Sequence, residues 1–506
     1  MIYVLPVISG IFSAFPFINF SLFPVMWVSL VPFMISLYRA RETKESVLSG
    51  FIFGLFFFGI TLFWVTRLLE FISLWAVVAW AMLIISQSLF IAAFSFVMYR
   101  YVILKRRFFL GAFAASFIWV SFEWIRSLGP YGVTGGGLGY CQANFLPLIQ
   151  ISSVAGVYGV SFLIVFFNAL LAVLFIENGA VLERLKKQYA AVIFIIILAV
   201  AVFAYGYSRI NEHKYVKKVG LTAALIQPNV PQKEKLDYNN TFRIFDEHMK
   251  LSDEITESGP QVIIWPETAV IDYLLENTML LARVKDFTRQ NNVYLIAGTP
   301  YFSENGKIFN SLVAFSPAGE LVDRFDKKHL VPFGEYLPFR FIFYPLLKNS
   351  GNYFEEDFDS NPRVKLLKIK DYTVGAAICF ESTFPYIIRE RIRSGGDFIL
   401  VSTNDAWFGD SSAATQHFYA GVFRAVENGC YLVQVANTGI SGIIDPCGRV
   451  LERTGVGEKG SIIANIGEKG KGTFYLKYGN LLVSLCLLGV ASLVFWDRLK
   501  GLTKRR

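Results

Sequence analysis

VGAAICFEST, residues 374–383, is a run of small and apolar residues that stops at a cysteine, with a glutamate two places further on. Its length and composition read as a buried strand. A thiol in such surroundings ordinarily behaves as a small, inert hydrophobe. Cys379 sits where the run ends, so its neighbours in the fold decide whether it is inert.

Similar short runs flank it. They are 219–227 (VGLTAALIQ), 262–265 (VIIW), 293–298 (VYLIAG), 311–315 (SLVAF), 398–402 (FILVS), 431–436 (YLVQVA) and 442–445 (GIID), with turn signals at SPAGE and DPCGR. Helical patterns at 240–258, 278–290 and 413–427 alternate with them. Strands alternating with helices predict a layered α/β domain over 218–471. Glu267 follows VIIWP, Cys379 follows VGAAI, and Asn404 and Asp405 follow FILVS. In layered α/β folds, groups at the carboxyl ends of strands converge on the ligand crevice.

The sequence around this domain is different in kind. The chain is 54% hydrophobic and 17% charged, and the apolar excess is concentrated in 1–210 and 478–496. A helix needs about 20 mostly apolar residues to cross a bilayer. Spans are predicted near 2–18, 20–38, 47–66, 73–99, 108–127, 148–176, 190–208 and 478–496, eight in all. The opening lacks a basic start and more spans follow it, so it does not read as a cleaved signal peptide. The expected layout is a seven-helix membrane domain (1–210), the α/β domain, an eighth span and a basic tail (497–506).

Basic residues concentrate in 39–46, 100–107, 177–189 and the tail, all on one side if there are eight spans. The positive-inside bias makes that side cytoplasmic and puts the α/β domain on the opposite, periplasmic side. These segments carry +10 and the remainder −1, out of a formal +9. The basicity therefore reflects topology and anionic lipid, and nucleic acid is not an expected partner.

Three of the five cysteines, Cys379, Cys430 and Cys447, fall in the outward domain. Three is odd, so at least one thiol is unpaired there. Buried thiols are the simpler reading of Cys430 and Cys447. No CxxC or His-rich spacing calls for a metal, and no cofactor is expected.

A thiol with a pKa near ~8.5 needs a base or a positive field to react at neutral pH. A partly desolvated carboxylate supplies the first, and a lysine can stabilise a tetrahedral oxyanion. DKKHLVPFGEY (326–336) offers Lys327, Lys328 and Glu335.

WPET (265–268), DKKHLVPFGEYLP (326–338), CFES (379–382) and NDAWFG (404–409), in that order, resemble the nitrilase or carbon–nitrogen hydrolase superfamily. With EWIRS (123–127), LGYCQ (138–142) and ANTGISGIIDPCGRV (436–450), nearly the whole chain resembles the bacterial apolipoprotein N-acyltransferase family. The resemblance implies an αββα sandwich with a Glu–Lys–Cys triad. It matches Glu267 to the general base and Cys379 to the nucleophile. The lysine lies eight residues before the glutamate of FGEY, which selects Lys327 over Lys328. Glu335 and Glu381 match supporting glutamates. Phe380 stands where the family has tyrosine and Leu236 where tryptophan is often found, departures that bear on substrate gating.

The implied reaction is acyl transfer in two steps through a Cys379 thioester. The donor is a phospholipid, the acceptor is the α-amine of diacylglyceryl-cysteine on an apolipoprotein, and the setting is the bacterial inner membrane. Trp407 and Phe408 are candidates to line the acyl pocket. LPFRFIFYPLL (337–347) reads either as an arm dipping into the membrane interface or as a helix packed in the core. His329 and His417 read as structural. Two rivals stand beside this reading: a membrane-tethered amide hydrolase, and a transporter or sensor with a decayed domain. The same triad would serve the hydrolase. The scarcity of intramembrane charges speaks against the transporter.

Overall fold

The structure is a computed structural model that describes residues 2–104, 108–176, 189–212, 219–348, 356–467, 470 and 472–503. The basic loop 177–189 lies almost wholly outside the described residues, as do the last three residues of 100–107 and of the tail. The chain forms two compact units: 1–66 with 75–211 and 478–506, and 67–74 with 212–477.

The second unit holds two six-stranded sheets. The first runs β12-β1-β2-β3-β4-β5 and the second β11-β10-β9-β8-β7-β6. The strands are β1 Val219–Gln227, β2 Val262–Ile264, β3 Tyr294–Phe302, β4 Ile308–Phe315, β5 Leu321–Asp326, β6 Leu367–Ile369, β7 Tyr372–Ile378, β8 Phe398–Thr403, β9 Leu432–Ala436, β10 Gly442–Ile444, β11 Val450–Arg453 and β12 Gly460–Gly467. Each sheet has a parallel trio at its centre, β1-β2-β3 and β7-β8-β9, flanked by antiparallel strands.

Side chains alternate across a strand, and this alternation builds the layers. Ala223, Leu225, Val262, Ile264 and Ile296 meet Val374, Ala376, Ile378, Leu400 and Val433 in one core between the sheets. Their neighbours Ala224, Ile226, Ile263, Trp265 and Leu295 face the other way. There they pack on Phe245 and Leu251 of helix Thr241–Thr256 and on Leu280, Val284 and Phe287 of helix Thr278–Asn291. Helices Pro385–Arg393 and Ser412–Asn428 belong to the second sheet's half of the chain. Four strands (β5, β6, β11, β12) and helix Pro385–Arg393 were not anticipated from the sequence.

LPFRFIFYPLL forms the short helix Arg340–Leu347, in which only Leu347 is buried. Phe341 is 80% exposed and Leu346 51%, which corrects the packed-core reading. Arg67–Leu74 lies between membrane-type helices in sequence, yet it packs within this unit. The Phe71 ring meets Trp407 edge-on at 5.0 Å, and Glu70 pairs with Lys233 at 3.2 Å.

In the first unit, four described stretches are long and apolar enough to cross a membrane: Phe20–Arg39, Thr43–Thr61, Trp75–Ile103 and Val157–Ile176. Val4–Ile18, Gly111–Ile125, Leu146–Ala155 and Leu481–Trp496 are shorter apolar helices. Helix Tyr189–Glu212 lies over the expected seventh span. EWIRS and LGYCQ hold the irregular backbone that joins two of these helices. Glu123 accepts from Trp119 Nε1 (3.0 Å), Ser161 Oγ (2.7 Å) and the Leu138 amide (3.3 Å). Arg126 donates to the carbonyls of Val133 and Gly135 at 3.0 and 2.8 Å. Backbone outside a helix needs such partners where water is scarce. Gly54 lets two helices touch, since a Cβ there would meet Ser88 at 2.7 Å.

Candidate active site

The site lies at the carboxyl ends of the parallel trios. Beyond β2 the chain passes through Trp265 and Pro266 to Glu267, and the next residue, Thr268, has φ +48°. β7 ends at Ile378, and Cys379 follows with φ +52°. A non-glycine residue in this region costs about 1–3 kcal/mol and persists only where its surroundings hold it. Both exits are therefore pinned from behind.

The first exit is fixed by an ion cluster. Lys327, directly after β5, is 1% exposed, and its Nζ lies 3.2 Å from Glu267 Oε1 and 2.8 Å from Glu335 Oε1. Asn310 of β4 bridges the same two carboxylates, its Nδ2 2.7 Å from Glu267 and 2.8 Å from Glu335. The second Glu267 oxygen accepts the Asn404 amide at 2.9 Å. Glu335 Oε2 accepts the Val331 amide, which closes its own loop. Burial works against the Lys327 cation, but Glu267 and Glu335 outweigh it and hold the ammonium above its usual range.

The second exit is fixed by Glu381. Its buried carboxylate accepts from the amides of Ile378 (2.9 Å), Lys328 (2.9 Å) and His329 (3.0 Å), and from Arg391 Nη2 (2.8 Å). Burial opposes its ionisation, yet Arg391 and these bonds hold the carboxyl below the usual range. His417 bonds the carbonyl of Cys379 at 3.0 Å and Asp405 at 3.0 Å.

Cys379 itself is half-buried, with its thiol bonded to Thr403. Burial first, then Glu267, push the thiol well above its ordinary range, while Lys327 pulls it down. The resting group is thus a protonated thiol with a carboxylate and an ammonium in its field. That arrangement suits a proton transfer made during attack better than a standing thiolate.

The other sequence candidates have surroundings of their own. Phe380 packs edge-on against Phe384 at 4.9 Å. Trp407 meets Phe71, Phe408 is partly exposed, and Leu236 is 45% exposed. Lys328 is paired with Glu390 at 2.8 Å, away from the Glu267 cluster. Cys430 and Cys447 are buried.

Sequence reasoning passed over Lys235. It donates to the Glu267 carbonyl (3.1 Å) and Thr268 Oγ1 (2.9 Å), bracing the first exit, and burial lowers its pKa to about 7. It also passed over Asn310, and over Gln232 and Asn437, which flank the anticipated Asn404 with amide contacts of 2.8 and 2.9 Å and tie the exits of β8 and β9 to the loop after β1. The signals available for Asn437 were its position after a strand and its place in the motif ANTGISGIIDPCGRV.

Residues 9–170 match the family model of the apolipoprotein N-acyltransferase N-terminal domain, and 222–470 match that of carbon-nitrogen hydrolase. An apolipoprotein N-acyltransferase of Geobacter metallireducens is 31% identical over 97% of this chain and 94% of its own. One of Rhizobium rhizogenes is 33% identical over 67% of this chain and 64% of its own. Among solved structures, an amidase from Nesterenkonia sp. AN1 is similar at 17% identity and a TM-score of 0.39, over 52% of this chain and 98% of its own. With one relative matched almost end to end and a family model on each half, the chain belongs to the apolipoprotein N-acyltransferase family.

Proposed function

We propose that this protein moves a fatty acyl chain from a phospholipid to the α-amine of the N-terminal diacylglyceryl-cysteine of an apolipoprotein, through a thioester on Cys379. The observation that carries the reading is the Glu267–Lys327–Glu335 ion cluster acting on a thiol held at φ +52°.

In the first step Glu267 takes the proton as Sγ attacks the ester carbonyl. The oxyanion forms against the Lys327 ammonium. Its collapse breaks the ester bond, and the glycerol oxygen leaves as a lysophospholipid with the proton held by Glu267. In the second step the acceptor amine attacks the thioester carbonyl and gives its proton to Glu267. The C–S bond breaks, the amide is released and Sγ is reprotonated. Glu335 keeps Lys327 charged and placed, and Glu381 keeps the Cys379 turn. Splitting a difficult transfer into two such steps is the advantage of covalent catalysis.

The setting follows from the substrates. Both are lipids, so the α/β domain (218–471) works beside a bilayer spanned by eight helices, seven before it and one after, on the periplasmic face of the inner membrane. The exposed apolar helix Arg340–Leu347 suits an arm that enters the interface. Phe380, Trp407, Phe408 and Leu236 are the side chains proposed to meet the acyl groups.

The test is intact-protein mass spectrometry after incubation with phospholipid. The expected result is a fatty-acyl mass on the wild type that is labile to hydroxylamine, and none on Cys379→Ala. Normal transfer by Cys379→Ala would overturn the mechanism.

A further inference from the structure

His417 lies in helix Ser412–Asn428 and is almost fully enclosed. Its Nδ1 is 3.0 Å from Asp405 Oδ1, and its Nε2 is 3.0 Å from the Cys379 carbonyl oxygen and 2.7 Å from Ser382 Oγ. The Ser382 hydroxyl in turn donates to the same carbonyl at 3.0 Å.

The two ring nitrogens face two acceptors. A neutral imidazole has one donor and one acceptor. With Asp405 ionised, a ring protonated only at Nδ1 sets a lone pair against the Cys379 carbonyl. A ring protonated only at Nε2 sets one against the carboxylate. Both contacts are hydrogen bonds only when both nitrogens carry protons. Ser382 fits that state, because its oxygen accepts from Nε2 while its proton goes to the carbonyl.

We propose that His417 works as an imidazolium paired with Asp405, a positioning residue that clamps the carbonyl of the nucleophile and keeps Cys379 in its left-handed conformation. The clamp has leverage because the peptide is planar. Fixing the Cys379 carbonyl fixes the plane that joins it to Phe380, and with it the direction in which Sγ leaves the turn. The pair also has an electrostatic consequence. After burial and Glu267, Asp405 is a further influence that raises the thiol's pKa, and a proton on His417 offsets the Asp405 charge. Burial opposes protonation of the ring, and the charged groups that favour it are Asp405 first and then Glu267. Its titratable neighbour is Cys379, and Ser382 and Thr403 are neutral.

This inference rests on Cys379 being the acylated nucleophile, and its test separates the two ideas. The chain has four histidines, so 15N-histidine NMR of the full-length protein in detergent is tractable. At pH 7.5 one ring is expected to show both nitrogens protonated, and that signal is expected to vanish in His417→Gln. Absence of any doubly protonated ring in the wild type would overturn the proposal whether or not variants fold.

The kinetic arm follows Cys379 thioester formation from pH 6 to 9. Asp405→Asn removes the partner that holds the proton. Its loss relative to wild type is therefore expected to be several-fold near pH 6 and to reach about a hundredfold by pH 8. His417→Gln, which keeps one donor but cannot be charged, is expected to recover part of the activity lost in His417→Ala and to show no such pH trend. A uniform loss in Asp405→Asn at every pH would mean packing alone, and would overturn the charged role. Failure of the wild type to form a thioester would instead sink the proposed function, leaving the NMR result to stand or fall separately.

Discussion

The two strand exits that make the site are alike in backbone and opposite in chemistry. Each sets a non-glycine residue at positive φ beside its functional group, Thr268 after Glu267 in one and Cys379 itself in the other. The first exit is packed with charge: two carboxylates share the Lys327 ammonium and the Asn310 amide, all of it nearly sealed from solvent. At the second, the charge lies behind the turn, in Glu381–Arg391 and Asp405–His417, while Cys379 in front is a neutral thiol on a half-buried residue. One exit stores electrostatic order, and the other exposes a single reactive atom to it.

The sharpest way to break that division is Glu267→Gln. Transfer is expected to fall by about 10²–10⁴-fold, the worth of a general base. At the same time the thiol should become easier to ionise, because a negative charge that raises its pKa is gone. The pH dependence of Cys379 alkylation by iodoacetamide checks this, and the rise is expected at lower pH than in wild type. A parallel loss of transfer with an unmoved alkylation curve would mean that Glu267 does not act on the sulfur.

Next comes the back of the second exit. Arg391→Met leaves Glu381 buried without its cation, which costs about 3–5 kcal/mol. A lowered unfolding midpoint of the catalytic unit is expected, with thiol pKa and acyl specificity little changed in the folded fraction. The smallest effect belongs to a neighbour. Lys327→Ala should remove orders of magnitude of activity, whereas Lys328→Ala, which loses a part-exposed pair with Glu390, is expected to cost under about 1 kcal/mol of stability and to leave transfer near wild type. Equal losses in the two would erase the distinction between cluster and surface.

The same contrast governs what could be read from the chain. The central strands, buried on both faces, appear in sequence as unbroken apolar runs, and β1, β2, β7, β8 and β9 were visible for that reason. The four strands that were missed are the edges of the two sheets: β5 and β12 in one, β6 and β11 in the other. An edge strand is half-covered, so LVDRFD and VLER keep their charges and look like loops. Helix Pro385–Arg393 was hidden the same way, because PYIIRERIR reads as solvated although Arg391 is 2% exposed.

Glu267, Lys327, Glu335 and Cys379 could be found because family motifs mark them. His417 could not, since its meaning comes from Asp405 and the Cys379 carbonyl, 12 and 38 residues away, and no spacing announces such a clamp. The aromatic arm was legible as apolar but not as exposed, because composition does not say which side of a helix meets protein.

The eight residues Arg67–Leu74 carry a lesson for anyone recombining relatives. They are threaded between apolar helices in the gene, but Phe71 and Glu70 belong to the same body as Trp407 and Lys233. A hybrid that exchanges only 212–477 would inherit a mismatched passenger. Grafting the loop along with the domain should restore the fit, so inheritance of this enzyme is modular in two pieces rather than one.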